Sequence, residues 1–174
     1  MKNKLFVTYL IVQLMLLSGC SYDALMSAQG WREYIGDGGM MTRKTAFEVN
    51  RKYSNIGKDW AERSQACLNN RQVTTTSGRA GQDYISMTSS YKTTTVISKQ
   101  RAELDLQEKF SGGVINVAKE PPDGHYFFVA DATPIAHNKT KIEMYYAINR
   151  GLFVTAISNW ARGKNMGCPD LTKK

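Results

Sequence analysis

The sequence predicts an α+β domain in which an antiparallel sheet carries two helices on one face. Two segments repeat apolar residues at the spacing of an amphipathic helix. Six segments are predicted as strands, either from a composition rich in Thr, Val, Tyr and Ile or from alternation of apolar and polar residues. In the most regular of these strands apolar and charged residues alternate, which indicates one buried face and one wet face. The predicted order is β-α-β-β-β-β-β-α.

The first strand is predicted at residues 45–49, where apolar and polar residues alternate. The first helix is predicted at residues 53–69, with Ser54 as its N-cap. Trp60 and Cys67 lie on one side of that helix. We expect this side to face the sheet.

Five further strands follow, and the third of them is the clearest. They are predicted at residues 72–76, 84–97, 101–110, 125–133 and 141–149. Within residues 101–110, Leu104 and Leu106 point to one face, whereas Glu103 and Asp105 point to the other. We expect these two carboxylates to be solubilising charges on the wet face.

The second helix is predicted at residues 152–162, with Phe153 and Trp160 toward the core and Gly163 as its C-cap glycine. Five antiparallel strands between two helices leave both helices pointing the same way. Their C-terminal ends should therefore lie at one end of the domain.

The first twenty residues have the organisation of an export signal. Two lysines precede an apolar run over residues 5–17, which ends in Leu17-Ser18-Gly19-Cys20. As a helix this run would rise about 20 Å, short of the roughly 30 Å of hydrocarbon in a bilayer. Leu-Ser-Gly-Cys resembles the lipobox of bacterial lipoprotein precursors, which implies cleavage before Cys20 and acylation of Cys20. The alternative is an ordinary secretory signal in which Cys20 happens to lie near the cut.

The resemblance also implies a location and a domain organisation. Ser21 follows the lipidated cysteine, and in the enterobacterial pattern that this resembles, an Asp there would favour the inner membrane. We therefore expect an outer-membrane lipoprotein that faces the periplasm. The signal peptide covers residues 1–19, the lipidated cysteine and a flexible tether cover residues 20–42, and a single α+β domain covers residues 43–174. A short helix is expected near residues 24–32 within the tether.

The two remaining cysteines, Cys67 and Cys168, are predicted to form a disulfide. An even pair of cysteines in an exported domain is typical of a structural bridge, and no Cys-x-x-Cys spacing indicates redox chemistry. Each cysteine lies near the C-terminal end of a predicted helix. The predicted topology therefore brings them to the same end of the domain.

The charge of the chain is compatible with an envelope protein. The sequence has 23 basic and 15 acidic residues, and two of the basic residues belong to the signal peptide. The basic residues are scattered as pairs rather than gathered in a block interleaved with aromatics, a distribution that argues against nucleic-acid binding. Lipid head groups and other anionic envelope polymers are the neighbours that a basic domain would attract.

The domain resembles two groups of proteins. The arrangement of two helices on an antiparallel sheet is similar to the helix-grip or TBP-like layout of several envelope lipoproteins. The chain also resembles a group of short uncharacterised proteobacterial lipoproteins. The segments that carry this second resemblance are Phe47-Glu48-Val49-Asn50-Arg51, Cys67-Leu68, Ala102-Glu103-Leu104, Trp160-Ala161-Arg162-Gly163-Lys164 and Cys168-Pro169-Asp170-Leu171. It implies the architecture and no activity.

The sequence offers no pattern for catalysis, for a metal or for a cofactor. It has two histidines, His125 and His137, and no metal-binding spacing of His, Cys or Asp. It has no Gly-x-Ser-x-Gly elbow for a nucleophilic serine. We therefore expect a protein that is not an enzyme and that binds no metal or cofactor.

Aromatic residues in the last two strands suggest a partner-binding face. By alternation Phe127 points away from Phe128, and Tyr145 points away from Tyr146, so Phe127 and Tyr145 are expected on the open face of the sheet. We expect a membrane-anchored periplasmic lipoprotein that acts as a binding or accessory component of an envelope assembly. The alternatives are a carrier or sensor of an apolar ligand held between helices and sheet, and an envelope hydrolase with an unrecognised site.

Overall fold

The computed structural model describes residues 24–77, 85–112 and 121–172, and these residues form the predicted α+β fold. The elements are α1 (Ala28–Gly36), β1 (Thr42–Val49), α2 (Tyr53–Cys67), β2 (Gln72–Ser77), β3 (Ile85–Ile97), β4 (Ala102–Ser111), β5 (His125–Ala136), β6 (Lys139–Ala147) and α3 (Gly151–Ala161). A 3₁₀ turn, Ala24–Met26, precedes α1. From β1 onward the order is the one that the sequence predicts. The predicted signal peptide and Cys20 lie outside the described residues.

The six strands form one antiparallel sheet in the order β1-β6-β5-β4-β3-β2. Each strand from β2 to β5 pairs with the next along the chain, and β1 pairs with β6. The first and last strands of the domain therefore lie side by side, and β1 and β2 form the two edges of the sheet.

One face of the sheet, which we call the helix face, packs against α2 and α3. The largest side chains with no exposed surface there include Trp60, Trp160, Phe128, Ile56, Leu104, Leu106, Ile142, Met144 and Ile157. The Trp60 indole donates a hydrogen bond to the Ile157 carbonyl at 3.3 Å and so joins the two helices. The predicted N-cap of α2 is wrong, because Lys52 occupies that position and no side chain caps the helix.

The predicted disulfide is confirmed, since Cys67 is bonded to Cys168 with 5.0 Å between their Cα atoms. Cys67 is the last residue of α2, and Cys168 follows the end of α3. Both helices therefore end on the same side of the domain, as the strand count predicts.

The opposite face of the sheet, which we call the α1 face, is covered in part by α1. Ser27 caps this helix by accepting a hydrogen bond from the Gly30 amide at 3.0 Å. Trp31 and Ile35 are buried and pack on Val129 of β5. The prediction of a flexible tether over residues 20–42 is therefore wrong where α1 forms. This helix is part of the folded domain, because its two apolar residues, one turn apart, are buried against the sheet.

No helix in residues 24–77, 85–112 and 121–172 has the length and apolar character needed to cross a bilayer.

Candidate functional site

The structure separates the two aromatic residues that the sequence placed on a common partner face. Phe127 is wrongly predicted to point outward, because β5 contains a bulge at this position. Leu106 pairs with Phe128 and Gln107 pairs with Tyr126, so Phe127 is an extra residue without a partner in β4. Its ring lies on the helix face, 5.2 Å from the ring of Phe153 between centroids.

Tyr145 does lie on the face opposite the helices, but that face is not open at this point. The Trp31 indole donates a hydrogen bond to the Tyr145 carbonyl at 3.1 Å, and the Tyr145 ring packs in the apolar cluster under α1. The Lys44 ammonium lies 4.8 Å from the centre of the Tyr145 ring. Tyr145 is therefore a contact of α1, and its surroundings do not support a partner site there.

An arginine–carboxylate cluster lies beside this contact and consists of Arg32, Arg101, Glu103, Asp105 and Asp131. Arg32 extends from α1, and its guanidinium donates two hydrogen bonds to Asp131, at 2.8 and 2.9 Å, and a third to Glu103. Arg101 donates to Glu103 at 2.8 Å. Glu103 and Asp131 are directly paired residues of β4 and β5, so Arg32 ties α1 to both strands.

Asp105 is the unusual member of this cluster. The prediction that it is a solubilising charge is wrong, because its side chain is on the α1 face and only 7% of the residue is exposed. Its Oδ1 atom is buried and has no hydrogen-bond partner among the described residues. Burial, followed by repulsion from Glu103, raises the pKa of Asp105 to about 7, although Arg32 opposes this shift.

A second buried ion pair lies on the helix face and joins Glu108 of β4 to Arg150 at the start of α3. The Arg150 guanidinium lies 4.5 Å from the centre of the Phe127 ring, which is the ring that the bulge turns inward. Burial, followed by the charge of Glu108, raises the pKa of nearby Tyr91. This pair fixes the beginning of α3 to the sheet.

An open groove of about 470 Å³, which we call the hairpin groove, lies between the start of α2 and the β5–β6 hairpin. It is lined by Lys52, Tyr53, Ser54, Pro134, Ile135, Ala136 and His137. The Tyr53 hydroxyl donates to the carbonyls of Ser98 and Lys99, each at 3.1 Å, and so holds one wall to the β3–β4 turn. The Thr140 hydroxyl donates to the Arg51 carbonyl at 2.6 Å and fixes the hairpin to the residues before α2.

The apolar wall of the hairpin groove comes from a second irregularity in β5. Pro134 pairs with Thr140 and Ala136 pairs with Lys139, which leaves Ile135 without a partner. Ile135 is 47% exposed, and its side chain supplies apolar surface to the groove. The sequence analysis missed this site. The signal for it was Pro134 near the end of a strand, since proline in a strand is typical of an edge or a bulge.

The two histidines do not come together. His125 begins β5, and His137 follows the end of the same strand, so they lie at opposite ends of the sheet. Within the described ranges no three His, Cys, Asp or Glu side chains are arranged to hold a metal ion.

No protein-family model and no curated protein matches the chain. It is similar to a solved conserved protein from Geobacillus kaustophilus, with 11% identity and a TM-score of 0.37, over 70% of this chain and 93% of that one. It is also similar to protein Ms6760 from Mycobacterium smegmatis, with 11% identity and a TM-score of 0.32, over 71% of this chain and 86% of that one. Both are distant likenesses.

Proposed function

We propose that this chain is a lipid-anchored lipoprotein of the bacterial outer membrane, whose domain faces the periplasm and binds an envelope partner without catalysing a reaction. The hairpin groove is the binding surface in this proposal. The observation that carries it is the exposed, bulged Ile135 beside two basic side chains, Lys52 and His137, in one groove.

The disulfide supports the location. Disulfides persist in oxidising compartments such as the periplasm and are rare in the cytosol. The bond between Cys67 and Cys168 closes a loop across most of the domain. It fits a chain that is exported by the signal over residues 1–19 and acylated at Cys20.

The ion pairs support a role without catalysis. Glu103, Asp131 and Glu108 are each bound to an arginine, and all three contacts join one secondary-structure element to another. Carboxylates of a hydrolase must reach the substrate as acid, base or nucleophile. Carboxylates held in this way are occupied by an arginine and connect elements of the fold.

The groove also indicates the chemistry of the partner. Tyr53 and Ile135 supply apolar surface, and Lys52 supplies a positive charge at its edge. A segment of an envelope protein with an apolar side chain next to an acidic one would match both features. An anionic envelope polymer would satisfy the charge of Lys52 but would leave Ile135 uncovered, so we favour the protein.

A carrier of a small apolar ligand is the second candidate, because the groove has the volume of a ligand pocket. About 470 Å³ lies within the range of roughly 300–1,000 Å³ that is usual for such pockets. The groove is open and lies outside the space between the helices and the sheet, where Trp60 and Trp160 are packed without exposed surface. A protein segment suits an open groove better than a ligand that must be enclosed.

The anchor is tested by Cys20→Ser. We expect the substitution to abolish palmitate labelling and to leave unprocessed or soluble protein, because no other residue can take the thioether. Labelling equal to that of the wild type would contradict the proposed anchor.

The groove is tested by a photo-crosslinking amino acid at position 135, with position 110 as a matched control. Phe110 is 42% exposed and lies in β4 beyond the pair of Glu108 and His125, at the end of the sheet opposite the hairpin. We expect an envelope protein to be cross-linked in intact cells from position 135 and not from position 110, and Ile135→Asp to remove it from co-purification. Equal cross-linking from both positions, or unchanged recovery with Ile135→Asp, would rule out the groove. A covalent product of lipid mass would favour the carrier.

A further inference from the structure

We propose that α1 is a proton-sensitive clasp: Asp105 holds a proton while α1 lies on the sheet, and loss of that proton weakens the attachment of α1. The proposal concerns regulation of the chain that joins the anchor to the domain, and so goes beyond the binding role of the groove.

The first observation is the balance of charge in the arginine–carboxylate cluster. Arg32 and Arg101 face three carboxylates, namely Glu103, Asp105 and Asp131. The two guanidinium groups balance two ionised carboxylates. The cluster has no net charge only if the third carboxyl group is protonated. Asp105 is the member whose Oδ1 atom receives no hydrogen bond, so it is the carboxyl that gains least by ionising.

The second observation is the way in which α1 is held. Arg32 is its one cationic side chain in contact with the sheet, and 10% of that side chain is exposed in the ion pairs. Trp31 is 3% exposed and donates to the Tyr145 carbonyl. Lifting α1 would return Arg32 and the cluster to water, where Asp105 would ionise at its ordinary pKa.

The other groups that face Asp105 do not replace the missing proton. Glu103 on β4 and Asp131 on β5 carry like charge, and both are already bound to arginine. Tyr126 on β5 is neutral, since burial, followed by the charge of Asp105, raises the pKa of its hydroxyl. Lys92 of β3 pairs with Gln107 of β4, which lies two residues beyond Asp105 along that strand.

The sign of the effect follows from these states. The pKa of Asp105 is about 7 with α1 in place, and its ordinary value is 3.8. The docked form therefore binds a proton that the released form gives up, and docking is strongest below the ordinary value. It weakens as the pH rises toward 7 and stays weak above it. A more alkaline solution releases α1.

Release of α1 would increase the distance that the domain can move from the acylated Cys20. This consequence rests on the proposed acylation of Cys20. Leu25 packs in the apolar cluster under α1, so the domain is attached within five residues of Cys20, a reach of at most about 17 Å. With α1 released, attachment begins at β1, at Thr42, and the fully extended reach becomes about 75 Å. Gly38 and Gly39 between α1 and β1 provide the joint, and Gly38 has a φ of +83°.

The test is a pH titration of the whole chain in detergent micelles. The indole N–H signals of its tryptophans are recorded by NMR at each pH. Trp31 reports α1 through its hydrogen bond to Tyr145, and Trp60 reports the core through its bond to Ile157. Between pH 5 and pH 9 we expect the Trp31 signal to move toward that of a solvated indole, with most of the change complete by about pH 7. This change corresponds to a loss of tenfold or more in the docking equilibrium. The Trp60 signal should stay in place.

Asp105→Asn is the matched variant, because asparagine has the shape of the protonated acid. We expect its Trp31 signal to keep the docked position up to pH 9. Asp131→Asn removes a partner of Arg32 and should shift the Trp31 signal toward the released position at every pH. A Trp31 signal that does not move in the wild type, or that moves equally in Asp105→Asn, would overturn the clasp. Neither result bears on the groove or on acylation, since the Trp31 signal reports only the contact of α1 with the sheet.

Discussion

The helix face of the sheet is closed by a large apolar core with one ion pair, Glu108–Arg150, whereas the α1 face is closed by a small apolar patch and the arginine–carboxylate cluster. Trp60, Trp160 and Phe128 have no exposed surface on the helix face, and burial of such a side chain contributes about 1.5–3 kcal/mol or more. On the α1 face Arg32 replaces apolar contact with ion pairs, and a buried ion pair contributes little net stability because both charges lose their hydration. The helix face therefore holds the fold together, and α1 is attached more weakly and in a way that depends on protonation.

The largest effect should come from Phe128→Ala on the helix face. Phe128 is fully buried, and its ring stacks on Tyr146 with 5.9 Å between centroids. We expect a loss of about 3–5 kcal/mol in the free energy of unfolding, because the substitution leaves a cavity in a packed core. Urea denaturation measures this loss, and a loss below about 1 kcal/mol would contradict the description of the helix face.

Removal of the disulfide should have the next largest effect. In the double variant Cys67→Ala, Cys168→Ala we expect a loss of about 2–5 kcal/mol, because the bond constrains a long loop of the unfolded chain. Wild-type protein treated with a reductant should melt at the same lower temperature as the double variant. If the reductant left the melting temperature unchanged while freeing both thiols, the disulfide would have no structural role.

Tyr145→Ala should have the smallest effect of the three and should act on α1. Tyr145 is partly buried under Trp31, so we expect a loss of about 1–2 kcal/mol, more than the 0.5 kcal/mol that is usual for a surface change. The loss should be accompanied by faster proteolysis between α1 and β1. A loss as large as that of Phe128→Ala would mean that the two faces are equally important for folding.

Periodicity and strand composition were sufficient to predict the elements from β1 to α3. The disulfide between Cys67 and Cys168 was predicted from the even pair of cysteines, and the parity of five strands agreed with it. Alternation correctly placed Tyr146 on the helix face of β6 and Tyr145 on the other face.

Alternation failed where β5 contains an additional residue. The bulge at Phe127 turns two consecutive phenylalanines toward the helices, and the bulge at Ile135 exposes an isoleucine in the hairpin groove. A bulge changes which face a residue joins without changing the composition of the strand, so nothing in the apolar pattern reported the first one. Pro134 was a signal for the second.

The contact of α1 with the sheet could not be predicted for a different reason. Trp31 and Ile35 are one turn apart, and Ser27 is a good N-cap, so the helix itself was within reach of the sequence analysis. Its position depends on Arg32 meeting Asp131 and Glu103, which are 99 and 71 residues away along the chain. Charged residues on an alternating strand are typical of a solvated face. That Arg32 covers them is visible only in the folded structure.

The most direct test of the difference between the two faces is hydrogen exchange of backbone amides in α1 and in α2, measured on the same sample at pH 6 and at pH 8. We expect the amides of Trp31 and Ile35 to be at least tenfold less protected than those around Trp60, and to lose further protection at pH 8, because α1 opens without unfolding the helix face. Equal protection in both helices at both pH values would show that α1 opens only with the whole domain, and would contradict the account.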